Sequence, residues 1–349
     1  MSLIPATILT GFLGSGKTTL LKRVLAEAHG QKIAVIENEF GEENIDSDIL
    51  VSDTNEQIIQ MSNGCVCCTI REDLRTTLKD LAEKKRKGEL DFERVVIETT
   101  GVADPGPVAQ TFFMDDEIAE TYLLDSILTL VDAKHAVQQL NDRQEARRQI
   151  GFADQIFISK SDLVSKEELD ALMHRIKHMN PRAPQKAVHF GEVAIKEVFD
   201  LRGFNLNAKL DIDPDFLKDD DHHHDHEHGE HCDHPSHAHD HAAHGHHHHH
   251  EDDVKSFVFK SDRPFDPAKL EDFLGAIVNI YGPRMLRYKG VLYMKGTERK
   301  VIFQGVHQLM GSDLGPAWAE GEARMSKMVF IGIDLPKDIF LQGMEQSLV

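Results

Sequence analysis

A chain of 349 residues, 40% apolar and 28% charged, has the length for about two domains and the composition of an ordinary globular protein. Its formal charge of −20 is concentrated: eleven Asp and Glu, with no Lys or Arg, fall between Asp219 and Asp253, so the remainder carries −9. That balance argues against a nucleic-acid partner, which is bound by cations that displace counterions, and no apolar run approaches the ~20 residues of a membrane span.

Three of the four cysteines, Cys65, Cys67 and Cys68, crowd into four positions, where paired disulfides are sterically awkward. No basic region or cleavable apolar segment precedes the glycine loop that starts at Gly11. The chain therefore reads as cytoplasmic, with metal-binding or reactive thiols in a reducing compartment.

From residue 4 to about residue 199, short apolar runs alternate with longer amphipathic ones. The runs 4–9, 32–36, 94–97, 126–131 and 155–158 are rich in Ile, Val and Leu and predict buried strands. Between them, Ile70, Leu74, Leu78 and Leu81 build one apolar stripe at helical spacing, and Leu20, Leu21, Val24 and Leu25 do the same after the glycine loop. Strands alternating with helices predict an α/β fold with a mostly parallel, doubly wound sheet.

A polar connection from 205 to 217 leads into a tract in which 16 of the 22 histidines fall between His222 and His250. Its composition cannot build a packed core. Neutral imidazoles at His222, His223, His224, His226, His228, His231, His246, His247, His248, His249 and His250, with Cys232, predict a metal-binding tract of low specificity. After Asp253, strand-like runs around Phe257 and Phe259, at 291–294, 301–306 and 328–333 accompany two helical patterns. One carries Leu270, Phe273, Leu274 and Ile277; the other spans 338–348. This predicts a smaller α+β domain. The expected organisation is 1–204, a linker tract 205–253, and 254–349.

Three motifs carry the nucleotide chemistry. Gly11-Phe-Leu-Gly14-Ser15-Gly16-Lys17-Thr18 follows a predicted strand and opens a predicted helix, the context of a P-loop. Backbone N–H groups of this loop and the helix N-terminus suit phosphates, with Thr19 just inside the helix. Lys17 reaches the β- and γ-phosphates, and the Thr18 hydroxyl ligates Mg²⁺. In Val95-Val-Ile-Glu98-Thr-Thr-Gly101, Glu98 suits a Mg²⁺-linked or water-orienting role, and Gly101 can offer its N–H to a γ-phosphate. The third is Ser159-Lys160-Ser161-Asp162 after a strand. The Asp162 carboxylate can accept both N1–H and the N2 amino group of guanine while Lys160 lies along the base, which points to GTP. Ser159 stands where such motifs usually carry Asn.

Two or three thiolates from Cys65-Val-Cys67-Cys68 favour Zn²⁺, Cu⁺ or Co²⁺ over Mg²⁺. So short a segment hardly closes a tetrahedron, and the loop 36–42 after the second strand is the best source of a further ligand. An incomplete, reachable site suits a carrier of metal.

In this order GFLGSGKTTLL, IENEFGE, NGCVCC, VIETTGVADP and SKSD closely resemble the CobW-like family of P-loop GTPases, relatives of the nickel-insertion GTPases of hydrogenase and urease. The likeness is closest to bacterial YjiA-type members and extends through MLRYKGVLYMKG, VIFQGV and MVFIGIDLP in the C-terminal region. The resemblance implies a slow GTPase that uses Mg²⁺ and handles Zn²⁺, Co²⁺ or Ni²⁺. It implies delivery to a client metalloprotein, metal-associated roles for Glu37 and Glu42, and a homodimer of the kind SIMIBI-type relatives form across the nucleotide face. Glu98, in place of the Asp of the broader G-protein motif, is the family's own form. Two other functions use the same residues: a metal store linked to GTP, and a maturation GTPase inserting Co²⁺ or Ni²⁺.

Overall fold

The structure of the protein, a computed structural model, describes residues 3–27, 32–38, 57–61, 69–201, 203–204 and 252–349. Seven strands, β1 (Ile4–Gly11), β2 (Ile33–Asn38), β3 (Gln57–Met61), β4 (Arg94–Glu98), β5 (Tyr122–Asp132), β6 (Gln155–Ser159) and β7 (Gln185–Ala187), make one sheet in the order β3-β2-β4-β1-β5-β6-β7. Every pairing in it is parallel. Each of the five predicted runs lies within one of these strands or overlaps it. β3 and β7 were not expected. β3 is a five-residue run with Gln at positions one and four, and β7 is three residues, none of them buried, at the sheet edge. Pairing to a neighbour, rather than apolar content, makes both of them strands.

Among the described residues seven helices cover this sheet: α1 (Lys17–Glu27), α2 (Thr69–Arg86), α3 (Pro105–Met114), α4 (Asp116–Thr121), α5 (Ala136–Asp142), α6 (Gln144–Phe152) and α7 (Lys166–Met179). Alternation along the strands feeds two cores. Leu9, Val35, Val96 and Leu128 pack with Leu20, Leu21 and Val24 of α1, while Ile8, Ile36, Ile97 and Ile127 pack with residues of α2, α3 and α6. In a doubly wound sheet the ligand site lies beyond the carboxyl ends of the strands. Here those ends carry Gly11, Glu37, Glu98, Asp132 and Ser159 on five adjacent strands.

The second sheet, β11-β10-β9-β12-β8, is antiparallel throughout: β8 (Val254–Ser261), β9 (Met285–Leu292), β10 (Arg299–Val306), β11 (Leu309–Ala317) and β12 (Ser326–Ile333). Helices α8 (Pro267–Tyr281) and α9 (Lys337–Gln346) cover one face. Along β12, Met328 and Phe330 point to those helices, while Val329 and Ile331 join Phe152 and Ile150 of α6 in the larger core. The inner strands β9 and β12 are therefore buried on both faces. No helix among the described residues is long and apolar enough to cross a membrane.

One expectation for this region needs correcting, and one strand was not expected. The strand expected at 291–294 is β9, which begins at Met285 and ends at Leu292. Arg287 and Lys289 make that stretch look solvated, yet they are 0% and 3% exposed. Regular alternation turns Arg287 and Lys289, the register partners of Ile331 and Val329, toward the parallel-sheet domain, and a β-bulge at Leu286 follows. There the Arg287 guanidinium donates to Asp154 at 3.3 Å and to the Gly203 carbonyl at 2.8 Å, and lies 3.4 Å from the Phe204 ring centre. β11 was missed because its Gly311, Ser312, Asp313 and Pro316 are exposed on an edge hairpin.

Asp154 also accepts from Arg182 at 2.7 Å and from the Ile127 N–H at 2.9 Å. Burial pushes its carboxyl up, but Arg287 and Arg182 outweigh that and hold it below the usual carboxylate range. A buried charge cluster of this kind is costly to break from one side, because the remaining charge is left uncompensated. The start of β8 is tied down as well: Asp252 takes a bidentate contact from Arg175 of α7 at 2.6 and 2.8 Å, and Asp253 is paired with Arg147 of α6.

Candidate functional site

Gly11 closes β1 at φ +147°, and a Cβ there would lie 2.4 Å from the Leu130 carbonyl oxygen, so only glycine lets the chain leave the strand this way. The loop then curls back, with the Ser15 N–H donating to the Phe12 carbonyl at 3.2 Å, before α1 starts at Lys17. Lys17 is folded over the loop, its ammonium 2.9 Å from the Gly11 carbonyl and 3.4 Å from that of Phe12. The Thr18 hydroxyl donates to Glu98 Oε1 at 3.1 Å. A hydroxyl and a carboxylate so placed are hard oxygen donors of the kind Mg²⁺ takes.

Glu98 ends β4, and its register partner on β2 is Glu37, one residue before the end of that neighbouring strand. Paired strands lie about 4.8 Å apart. Both residues share the parity of Val35 and Val96, so both belong to the α1 side of the sheet, and Glu37 is only 8% exposed. The segment after Glu98 is pressed against the P-loop. A Cβ on Gly101 would stand 2.6 Å from the Leu13 nitrogen, and Gln149 of α6 donates to the carbonyls of Gly101 (3.1 Å) and Ala103 (3.0 Å). Below it, the Thr99 hydroxyl donates to that of Thr10 at 2.9 Å.

At the other end of the site, the Ser159 hydroxyl donates to the Ser15 carbonyl at 2.7 Å, tying β6 to the P-loop. Lys160 stands in the left-handed region at φ 54°, which aims its ammonium at Asp132 Oδ2, 2.7 Å away. Burial pushes the Asp132 carboxyl up, but hydrogen bonds from Lys160 and His135 prevail and keep it below the ordinary carboxylate value. Asp162 follows in a short 3-10 turn, half exposed, 3.5 Å from the His189 ring. The loop 188–192 packs over α1, with Gly191 against the Leu20 backbone and Arg23 paired to Glu192 at 3.1 Å. It presents His189 and the exposed Phe190 beside Asp162.

The structure thus brings Gly11, Gly14, Ser15, Gly16, Lys17, Thr18 and Thr19 together with Glu98, Gly101, Ser159, Lys160 and Asp162, with Glu37 at the flank. Three contributors were not anticipated. Asp132, at the end of β5, orients Lys160; its place on the strand before the SKSD strand was the available signal. Gln149 and the His189–Phe190 pair carry no sequence signal, because only the fold brings them here. Cys65, Cys67, Cys68, Glu42, Cys232 and the tract histidines from His222 to His250 lie outside the described residues. Among the described residues no group of three or more His, Cys, Asp or Glu is arranged to hold a metal ion.

Family comparisons agree with this geometry. The family model for the CobW/HypB/UreG nucleotide-binding domain matches residues 5–186, and that for the cobalamin synthesis protein cobW C-terminal domain matches residues 254–348. The chain belongs to the CobW/HypB/UreG family. Among its relatives, the zinc chaperone YjiA of Escherichia coli (strain K12) is 38% identical over 339 residues, covering 97% of this chain and 96% of that protein. The zinc chaperone CobW of a Sinorhizobium species is 30% identical over 358 residues, with 95% and 93% coverage. Among solved structures, the Zn(II)-bound YjiA GTPase from E. coli superposes over 100% of both chains with a TM-score of 0.76 and 32% identity. The fold expected from the sequence, a P-loop parallel sheet with a smaller C-terminal α+β domain, is the fold of this CobW-family member. Its N-terminal domain is the family's nucleotide-binding domain.

Proposed function

We propose that this CobW-family protein is a GTP-hydrolysing metallochaperone that delivers a transition metal, zinc foremost, to client metalloproteins. The observation that carries the reading is the pairing of Glu37 with Glu98 on adjacent strand ends, with Glu98 already holding Thr18. A residue of the metal-associated loop and a residue of the nucleotide site are ladder neighbours. The zinc chaperones among the relatives and the zinc-bound YjiA structure support zinc as the cargo.

In this mechanism the backbone N–H groups of the loop 13–18 and the start of α1 cradle the phosphates. Lys17 exchanges the carbonyls of Gly11 and Phe12 for β- and γ-phosphate oxygens. Thr18 and Glu98 would hold Mg²⁺, which when bound neutralises charge on those oxygens. Gly101 offers its N–H to the γ-phosphate, held in place by Gln149 through its carbonyl. Asp162 accepts the two guanine donors, while Asp132 fixes Lys160 along the base and Ser159 joins the base end to the P-loop.

Loss of the γ-phosphate relaxes the Gly101 loop and the end of β4, and the β2 end moves with it because the two are bonded in one ladder. Glu37 then shifts relative to the remaining ligands expected from the sequence, Cys65, Cys67, Cys68 and Glu42, and the cargo is released. Exposed Leu13 and Val102, next to the Gly101 contact, favour a homodimer across this face.

Such coupling is reciprocal: zinc must tighten GTP binding by the same factor by which GTP tightens zinc. Zinc titrations of the full chain with a non-hydrolysable GTP analogue, with GDP and without nucleotide test it. Affinities that differ by tenfold or more, lost in Glu37→Gln, are the expected result. Equal affinities in all three states would overturn the proposal.

A further inference from the structure

Away from the nucleotide site, two of the six histidines outside the tract face each other on α7. His174 and His178 are one helical turn apart and both exposed, with their Nε2 atoms 3.0 Å apart and the rings edge to face at 4.5 Å between centres. Side chains at i and i+4 share one face of a helix, so the pairing is built into the spacing.

The helix that carries them is held firmly. Leu172, Ile176 and Met179 are buried on its other side, and a capping box from Ser165 and Glu168 closes its start. Its last two turns are bolted to the C-terminal domain. Arg175 takes Asp252 in a bidentate contact, and the Ser256 hydroxyl donates to the His178 carbonyl at 2.7 Å. The two imidazoles therefore stand on a rigid platform at a helix C-terminus, whose carbonyl end favours a cation.

We propose that His174 and His178 form a second transition-metal site, chelating one divalent ion through both Nε2 atoms. Nitrogen ligands about 2.0–2.1 Å from a metal are about 3.0 Å apart when cis at a right angle, and about 3.4 Å at a tetrahedral angle. The observed 3.0 Å lies at the first of these values. In the metal-free protein the same two atoms are joined by one hydrogen bond, whose proton moves to Nδ1 of the donor ring when a metal takes both Nε2 atoms, so binding needs a tautomer shift and little rearrangement. Imidazole ligands select Cu²⁺, Ni²⁺, Zn²⁺ or Co²⁺ over Mg²⁺.

Among the described residues the two imidazoles belong to no group of three or more His, Cys, Asp or Glu that could hold a metal ion, so the site is a two-ligand one. A site of that kind loads and unloads easily, as a transit point does and a structural zinc does not. It does not depend on nucleotide, so it stands or falls separately from the GTP-coupled reading above.

Because the tract between His222 and His250 also offers imidazoles, the test has to be residue-resolved. Diethylpyrocarbonate modification of the full chain, mapped by peptide mass spectrometry, reports His174 and His178 individually. Saturating ZnCl2 or NiCl2 is expected to slow modification of both by tenfold or more, reversibly with EDTA, while MgCl2 has no effect. In His174→Gln, which keeps a hydrogen-bond partner but no ligand, His178 is expected to lose its protection. Equal modification rates with and without zinc overturn the proposal. So does unchanged protection of His178 in His174→Gln.

Discussion

Guanine selection by Asp162 can be tested by changing one atom. Asp162→Asn replaces a carboxylate that accepts two guanine donors with an amide whose NH2 opposes the guanine N2 amino group. A hydrogen bond to a charged acceptor contributes about 1.5–3 kcal/mol. The Asp162 side chain is 48% exposed, so water screens the pair and the lower end of that range applies. One lost bond then weakens GTP by roughly tenfold to thirtyfold. Xanthine carries a carbonyl where guanine has its amino group, and the Asn NH2 can donate to it. Xanthosine triphosphate should therefore bind the variant more tightly than GTP does, reversing the wild-type order. Titration of both proteins with fluorescent analogues of GTP, XTP and ATP measures this directly. If Asp162→Asn binds GTP as wild type does and gains nothing for XTP, Asp162 does not read the base.

Three further outcomes are expected. Gly101→Ala should cut nucleotide affinity about tenfold or more and lower the melting temperature, since its methyl would stand 2.6 Å from the Leu13 nitrogen and overpacking costs about 1–3 kcal/mol; calorimetry and nucleotide titration check it. Burial first, then the neighbouring Arg182 and Arg287, bring the Lys289 ammonium down to about 7 from 10.5. Between those values the unfolded chain holds a proton the folded one has shed. This lysine's contribution therefore raises stability as pH climbs from about 7, by up to about 1.4 kcal/mol per unit. Urea midpoints from pH 7 to 9.5 should rise less steeply in Lys289→Met; equal slopes would refute the assignment. Deleting residues 219–250 should lower zinc stoichiometry by mass spectrometry and leave GTP turnover at the full-length rate. The deletion stops short of Asp252 and Asp253, because these anchor the C-terminal domain to Arg175 and Arg147.

Local sequence determined much of this protein. A P-loop needs glycine at Gly11 because of a backbone approach, and Lys17, Thr18, Glu98 and Asp162 must be those residue types for reasons of charge and donor count. Their chemistry is legible wherever the flanking strands are apolar enough to be recognised. The parallel sheet followed from the alternation of Ile/Val/Leu runs with helical stripes, for the same reason.

What tertiary structure decided is where opposite expectations met. Arg287 and Lys289 carry the signature of a solvated strand, and only the second domain packed on that face, with Asp154 and the Gly203 carbonyl waiting there, buries them. Gln149 and His189 have no local mark of function, because their roles consist of contacts to residues 48 and 27 positions away. Glu37 and Glu98 are 61 positions apart in sequence and become neighbours only when β4 inserts between β1 and β2. Strand order in a sheet is set by crossover connections and long-range burial. A linear pattern of apolar residues contains neither.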